Sequence, residues 1–175
     1  MMAIALQDEL IAELEEILKP VLLKNKDGKM RHIKAYPQYL PISGNGSTSA
    51  DITDGREFDF QGFDNEYESL FPFIVVYLES GTVQSSAMAH SISVGVAIGV
   101  YDNDDSMQGY RDVLLIISKI LERFEKNNIL GKKFIADFPA EWSLQEPGDI
   151  TCPCFYGSLA LRFDTATYRR ECIHA

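Results

Sequence analysis

A chain of 175 residues with 46% hydrophobic side chains is long and apolar enough to bury the core of one globular domain, read here as residues 1–175. A net charge of −10 speaks against a surface that grips nucleic acid, which needs clustered Lys and Arg, and three cysteines give no disulfide framework. No apolar run approaches the ~18 residues of a membrane span, and Met1–Leu10 lacks the basic and apolar segments of a secretory leader, so an intracellular protein is expected.

Leu6, Leu10, Ile11, Leu14, Ile17, Leu18, Val21 and Leu22 form one side of a predicted first helix, with Glu9, Glu13, Glu16 and Lys19 on the other. Pro20 ends or kinks it, and the helix reads as a lid over a sheet. From Tyr36 to Leu70 Pro, Gly, Ser, Asp and Asn dominate and no period holds, which predicts a long polar connector at about 36–70. Ser43–Ser49 has the composition of a phosphate loop, yet lacks the GK[ST] ending and the framing strand and helix. Phe58, Phe60, Phe63 and Tyr67 lie among Asp54, Asp59, Asp64, Glu66 and Glu68. Rings in such a stretch either anchor an arm on a neighbouring subunit or fold back onto their own, and local burial slightly favours the second.

Phe71–Glu79 is rich in β-branched and aromatic residues and reads as a strand buried on both faces. Gly81 and the polar residues after it suggest a hairpin into Met88–Tyr101, which alternates clearly. Met88, His90, Ile92, Val94, Val96, Ile98 and Val100 point one way; Ala89, Ser91, Ser93, Gly95, Ala97 and Gly99 point the other. The small row means either that something approaches that face closely or that it is a thin solvent face.

The central helix is predicted over Ser106–Asn127, with Tyr110, Val113, Leu114, Ile117, Ile120, Leu121 and Phe124 on its apolar stripe. Asp105 and Gln108 have capping-box spacing, and Asn127, Asn128 and Gly131 supply the exit. Leu115 falls on the far side among Arg111, Asp112, Lys119 and Glu122, a candidate partner contact. Lys132–Phe138 reads as a third strand that Pro139 interrupts, and Glu141–Gln145 resumes an extended path. Phe155, Gly157, Leu159, Leu161 and Phe163 alternate with smaller or polar residues in a fourth strand. The order α-β-β-α-β-β predicts an α+β fold: a mostly antiparallel four-stranded sheet with helices packed on a face.

Asp102, Asp104, Asp105 and Ser106 invite a calcium reading, but an EF-hand loop needs Gly sixth and Glu twelfth, where this chain has Met107 and Val113. Helix capping accounts for them better. A small intracellular metal-binding protein or enzyme using Asp102–Asp105 stands as the reading from another class. Cys152, Cys154, Cys172 and His174 would make a Cys₃His set, but one residue between paired ligands is tighter than structural zinc sites use, and free thiols are the better account. His32, His90 and His174 form no named acid–base–nucleophile set, and there is no Gly-x-Ser-x-Gly elbow. No enzyme, cofactor or metal is expected.

Val94-Gly-Val-Ala-Ile-Gly-Val-Tyr-Asp102 followed by Gly109-Tyr-Arg-Asp-Val-Leu114, then Pro139-Ala-Glu-Trp142 and Pro153-Cys-Phe-Tyr-Gly157, resembles the tail terminator (tail completion) proteins of siphophages and prophages. The resemblance spans about Phe71 to Asp164, rests on scaffold residues, and does not extend to the connector. It implies an α+β structural subunit that forms a homo-oligomeric ring, a hexamer, capping the tail tube and joining it to the head–tail connector. Its partners would be itself, the tail tube protein and the connector protein, in the host cytoplasm and then in the virion tail. DNA would pass without specific binding, and no membrane would be involved. A head-closure or neck connector protein is the alternative within this class. The interface candidates are Leu115, Asp112, Lys119, Phe58, Phe60, Phe63 and Trp142, together with the small-residue strand face.

Overall fold

The computed structural model describes residues 2–41, 67–83, 90–146 and 153–165. Helix α1, Met2–Leu18, stops ahead of Pro20 and buries Leu6, Leu10, Leu14 and Leu18, one residue per turn on a single line. Leu22 does not extend that line. It lies exposed in a short strand β1 (Leu22–Lys24), where Leu23 turns inward, because a strand sends neighbouring residues to opposite sides. Asn25 Oδ1 accepts the amides of Asp27 and Lys29 and bends the chain into β2 (Met30–His32), which pairs with β1.

Tyr36 belongs to β3 (Lys34–Pro37), not to a connector, and β3 runs parallel to β4 (Phe73–Thr82). Four residues show no period, so the sequence hides this strand; distant partners hold it. The Val76 carbonyl accepts both the Gln38 amide (2.9 Å) and Nε2 of buried Gln7 (2.7 Å), while Gln38 Oε1 accepts the Leu78 amide. Ser43–Ser49, Phe58, Phe60 and Phe63 lie outside the described residues, and a 3₁₀ turn, Tyr67–Leu70, leads into β4.

β5 is Ser91–Tyr101 and helix α2 is Gly109–Lys126; β6 is Ile129–Leu130, β7 Phe134–Leu144 and β8 Cys154–Thr165. Among the described residues the sheet has six strands in the order β3-β4-β5-β8-β7-β6, antiparallel except for β3 with β4, and β1–β2 form a separate ribbon. The expected α+β class and mostly antiparallel sheet hold. The expected count of four omitted β3 and β6, each too short to carry an alternation. β7 runs through Pro139 at a register shift between Asp137 and Glu141, a place where an edge strand tolerates a residue without N–H.

Both helices pack on one face, where Ile74, Val76, Val94, Val96, Ile98, Leu159, Leu161 and Phe163 meet the buried residues of α1 and α2. The α2 stripe is rotated from the predicted one: Ile116 is fully buried and Tyr110 is 38% exposed. Ile116 lies within about 20° of Arg123 around the helix, and Arg123 bonds Glu13 of α1, so the second helix buries a flank that a sheet alone would leave open. The capping box does not form. Asp102 Oδ1 accepts the Asp104 amide and Asp104 Oδ1 the Ser106 amide, so these acids build turns, and Gln108 sits at the N-cap without a side-chain cap bond. Asn127 ends the helix in extended backbone, its side chain accepting the Ile129 amide, whereas Gly131 (φ +55°) serves the turn between β6 and β7.

The small row of β5 carries rings of its own chain. A Cβ at Gly99 would stand 2.5 Å from the Phe73 ring, and one at Gly95 would overlap the Tyr77 ring. Phe71, Phe73, Val75, Ala97, Cys154 and Tyr156 form a second buried cluster there, with Tyr36, Tyr77 and Tyr101 against it. That part of the face is therefore covered from within, which removes it from the interface candidates.

Candidate interaction surface

Leu115 stands 43% exposed on the outer side of α2, flanked by exposed Arg111, Ser118 and Glu122. Lys126 bonds Glu122 and holds its carboxyl below the usual range. Asp112 and Lys119, half-buried, occupy the shoulder of α2 that turns toward α1. Burial, and then the charge of Asp102, push the Asp112 carboxyl above its ordinary value. The three α2 candidates therefore share one side of the helix, with Leu115 outermost.

Trp142 is on a different element. It lies 52% exposed on β7, opposite Leu159 and so on the helix side of the sheet. β6 pairs only with Phe134 and Ile135, and Asn128 reaches Ala136. Beyond Ala136 no described strand lies along the outer edge of β7. Phe138 (42% exposed), Asp137, Glu141 and Glu146 are exposed along this same stretch. Phe58, Phe60 and Phe63, the remaining candidates, lie outside the described residues.

The Asp102–Asp105 cluster already uses carboxylate oxygens on backbone amides, and the bond from Ser106 holds Asp104 below the usual carboxylate range. Among the described residues no group of three or more His, Cys, Asp or Glu is arranged to hold a metal ion. Cys152, Cys172 and His174 are outside the described residues; Cys154 is buried in the aromatic cluster beside Tyr156, whose phenol burial pushes far above its ordinary range. Exposed His32 donates from Nδ1 to the Lys19 carbonyl at 3.1 Å, and the His90 backbone is paired with Thr165.

Sequence reasoning from net charge missed a basic region. Between residues 19 and 36 stand Lys19, Lys24, Lys26, Lys29, Arg31 and Lys34 against one acid, Asp27, and all six cations are exposed. A charge count over that window would have found it. Beside β2 and β3 opens a cavity of about 330 Å³ lined by Arg31, His32, Lys34, Tyr36, Leu70 and Phe71, among others, with no carboxylate among the described residues of its wall. Its cations are held in place: Arg31 Nη1 donates to the Ser69 carbonyl at 3.0 Å, and Lys34 Nζ lies 5.2 Å from the Tyr36 ring centre. Next to it Lys26 pairs with Glu68 at 2.5 Å, a bond that raises the lysine pKa.

No helix among the described residues is long and apolar enough to cross a membrane. No protein-family model and no curated protein matches this chain.

Proposed function

We propose that this chain is a structural subunit of phage tail assembly, a tail terminator that closes into a hexameric ring on the tail tube and meets the head connector. The observation that carries the reading is that two separate elements each carry an exposed apolar site, Leu115 on α2 and Trp142 with Phe138 on β7. Different patches on opposite partners are what a ring requires, since its contacts are heterologous. The resemblance adds the strand, Tyr101-Asp102 and α2 in succession, then Trp142 and the Pro153–Gly157 opening of β8.

Electron microscopy of lysates from the parent phage carrying an early stop codon in this gene tests the role. Headless tails of irregular, excessive length are expected. Normal tails beside filled, unattached heads would move the protein to head closure, and intact virions would end the assembly reading. At the level of the purified protein, Leu115→Asp should raise the concentration at which the chain associates about tenfold, the scale of a well-placed apolar contact. Unaltered association would remove Leu115 from the interface.

A further inference from the structure

The described ends of the sheet differ in charge. Beside β3, Arg31, His32 and Lys34 rim the cavity over an aromatic floor, while the other cations of this region have acids near them: Lys26 pairs with Glu68, Lys19 with Glu16, and Lys24 lies near Asp104. At the β7 end, the stretch from Phe134 to Glu146 contains Asp137, Glu141 and Glu146 and no Lys or Arg, with Phe138 and Trp142 exposed between them. Arg162 offsets only Asp137, at 4.0 Å. β3 is outermost at one end of the strand order, and at the other no described strand lies along β7 beyond Ala136.

We propose that the basic, aromatic groove of one subunit receives the acidic, aromatic β7 ridge of a second copy. This deepens the ring reading and rests on it. The two surfaces match in both respects that the structure offers. Arg31 commits one nitrogen to Ser69, and a guanidinium has further donors for a carboxylate such as Glu141. Tyr36, Leu70 and Phe71 give the groove an apolar floor, and at about 330 Å³ it has room for one large side chain. Because groove and ridge lie at opposite ends of one sheet, the contact runs head to tail, and its repetition closes a ring or extends a filament. The cations alone would also suit phosphates. The ridge supplies a partner for both the charges and the rings from within the chain itself.

The test uses sedimentation velocity on the full chain and two reversed variants, Arg31→Glu/Lys34→Glu in the groove and Glu141→Lys/Glu146→Lys on the ridge. Circular dichroism confirms that each is folded. Alone, each variant confronts like charges and should need at least about tenfold more protein to associate. Mixed in equal amounts they should assemble to within about threefold of the unaltered chain, because each reversed surface then meets an opposite one. Folded variants that stay apart when mixed would overturn the pairing. Variants that associate like the unaltered chain would overturn it while leaving the ring intact, whereas an unaltered chain that never associates would end both readings. Loss of binding to a DNA oligonucleotide by the groove variant, with association unchanged, would assign the groove to nucleic acid and overturn the proposal.

Discussion

The two faces of the sheet are closed by different means. On the helix face, aliphatic residues of β4, β5 and β8 meet α1 and α2, and burial is continuous. On the opposite face no α-helix packs among the described residues; Phe71, Phe73, Tyr77 and Tyr156 cover the strands, tilted against one another, and Gly95 and Gly99 leave space for two of these rings. That cover reaches only part of the face. Further along, Ser143 and Ser158 share a hydroxyl hydrogen bond at 2.8 Å and Arg162 donates to Ser91 Oγ at 2.5 Å, so the remainder is polar and no other described element lies over it. A row of small residues can thus mark where the chain buries its own rings, and does not by itself mark a partner's seat.

The difference is sharpest for large side chains. Phe163 is fully buried on the helix face and meets Phe124 edge-on with ring centres 5.5 Å apart. Phe163→Ala should cost about 3–5 kcal/mol in urea unfolding, the range for an aromatic lost from a close-packed core. A much smaller loss would mean that the helix layer is loosely packed. On the aromatic face the informative changes run from small to large. Gly99→Ala places a methyl against the buried Phe73 and Phe71 rings and should cost about 1–3 kcal/mol. Gly95→Ala meets the far end of the half-buried Tyr77 ring, which can move outward, so its cost should be the smaller of the two. Equal costs would show that the two rings are held alike.

The smallest effect lies on the shoulder of α2. Asp112 has a raised pKa in the folded chain, so its ionisation favours unfolding, and stability falls as pH rises from its unfolded value of about 3.9 toward the higher folded one. Asp112→Asn should raise the Tm by about 1 °C at neutral pH, with the gain disappearing below about pH 4. A gain that persisted in acid would point to packing and not to charge.

The long elements were legible because each has a period. The alternation of Ile92, Val94, Val96, Ile98 and Val100 identifies β5, and the repeat through Val113, Ile117, Ile120 and Phe124 identifies α2. β3 and β6 were not, since two to four residues carry no period and are held by other elements, β3 by β4 and nearby Gln7 and β6 by β7. Ile116 was missed because its burial depends on α1, a neighbour no local pattern announces. Of the candidate surface, Leu115 was visible as an apolar residue out of place on its helix, whereas Trp142 entered with the segment that carries the resemblance. The basic groove was not visible, because a net charge of −10 averages it away and part of its floor, Leu70 and Phe71, comes from residues some forty positions after Arg31.

One feature of the sheet bears on how the chain is made. β4–β5 and β7–β8 each pair with a near neighbour in sequence, and within the sheet the halves are joined along the seam of β5 with β8, eleven residue pairs from Ser91↔Asp164 to Tyr101↔Cys154. During synthesis β5 emerges roughly fifty residues before β8, which at about 5–20 residues per second is an interval of several seconds. Throughout it this long, apolar strand has an unpaired edge, open to any other nascent chain carrying the same sequence. Crowded expression therefore threatens solubility most while β8 is still inside the ribosome, and slower initiation, which spaces nascent chains apart, is the remedy the topology recommends.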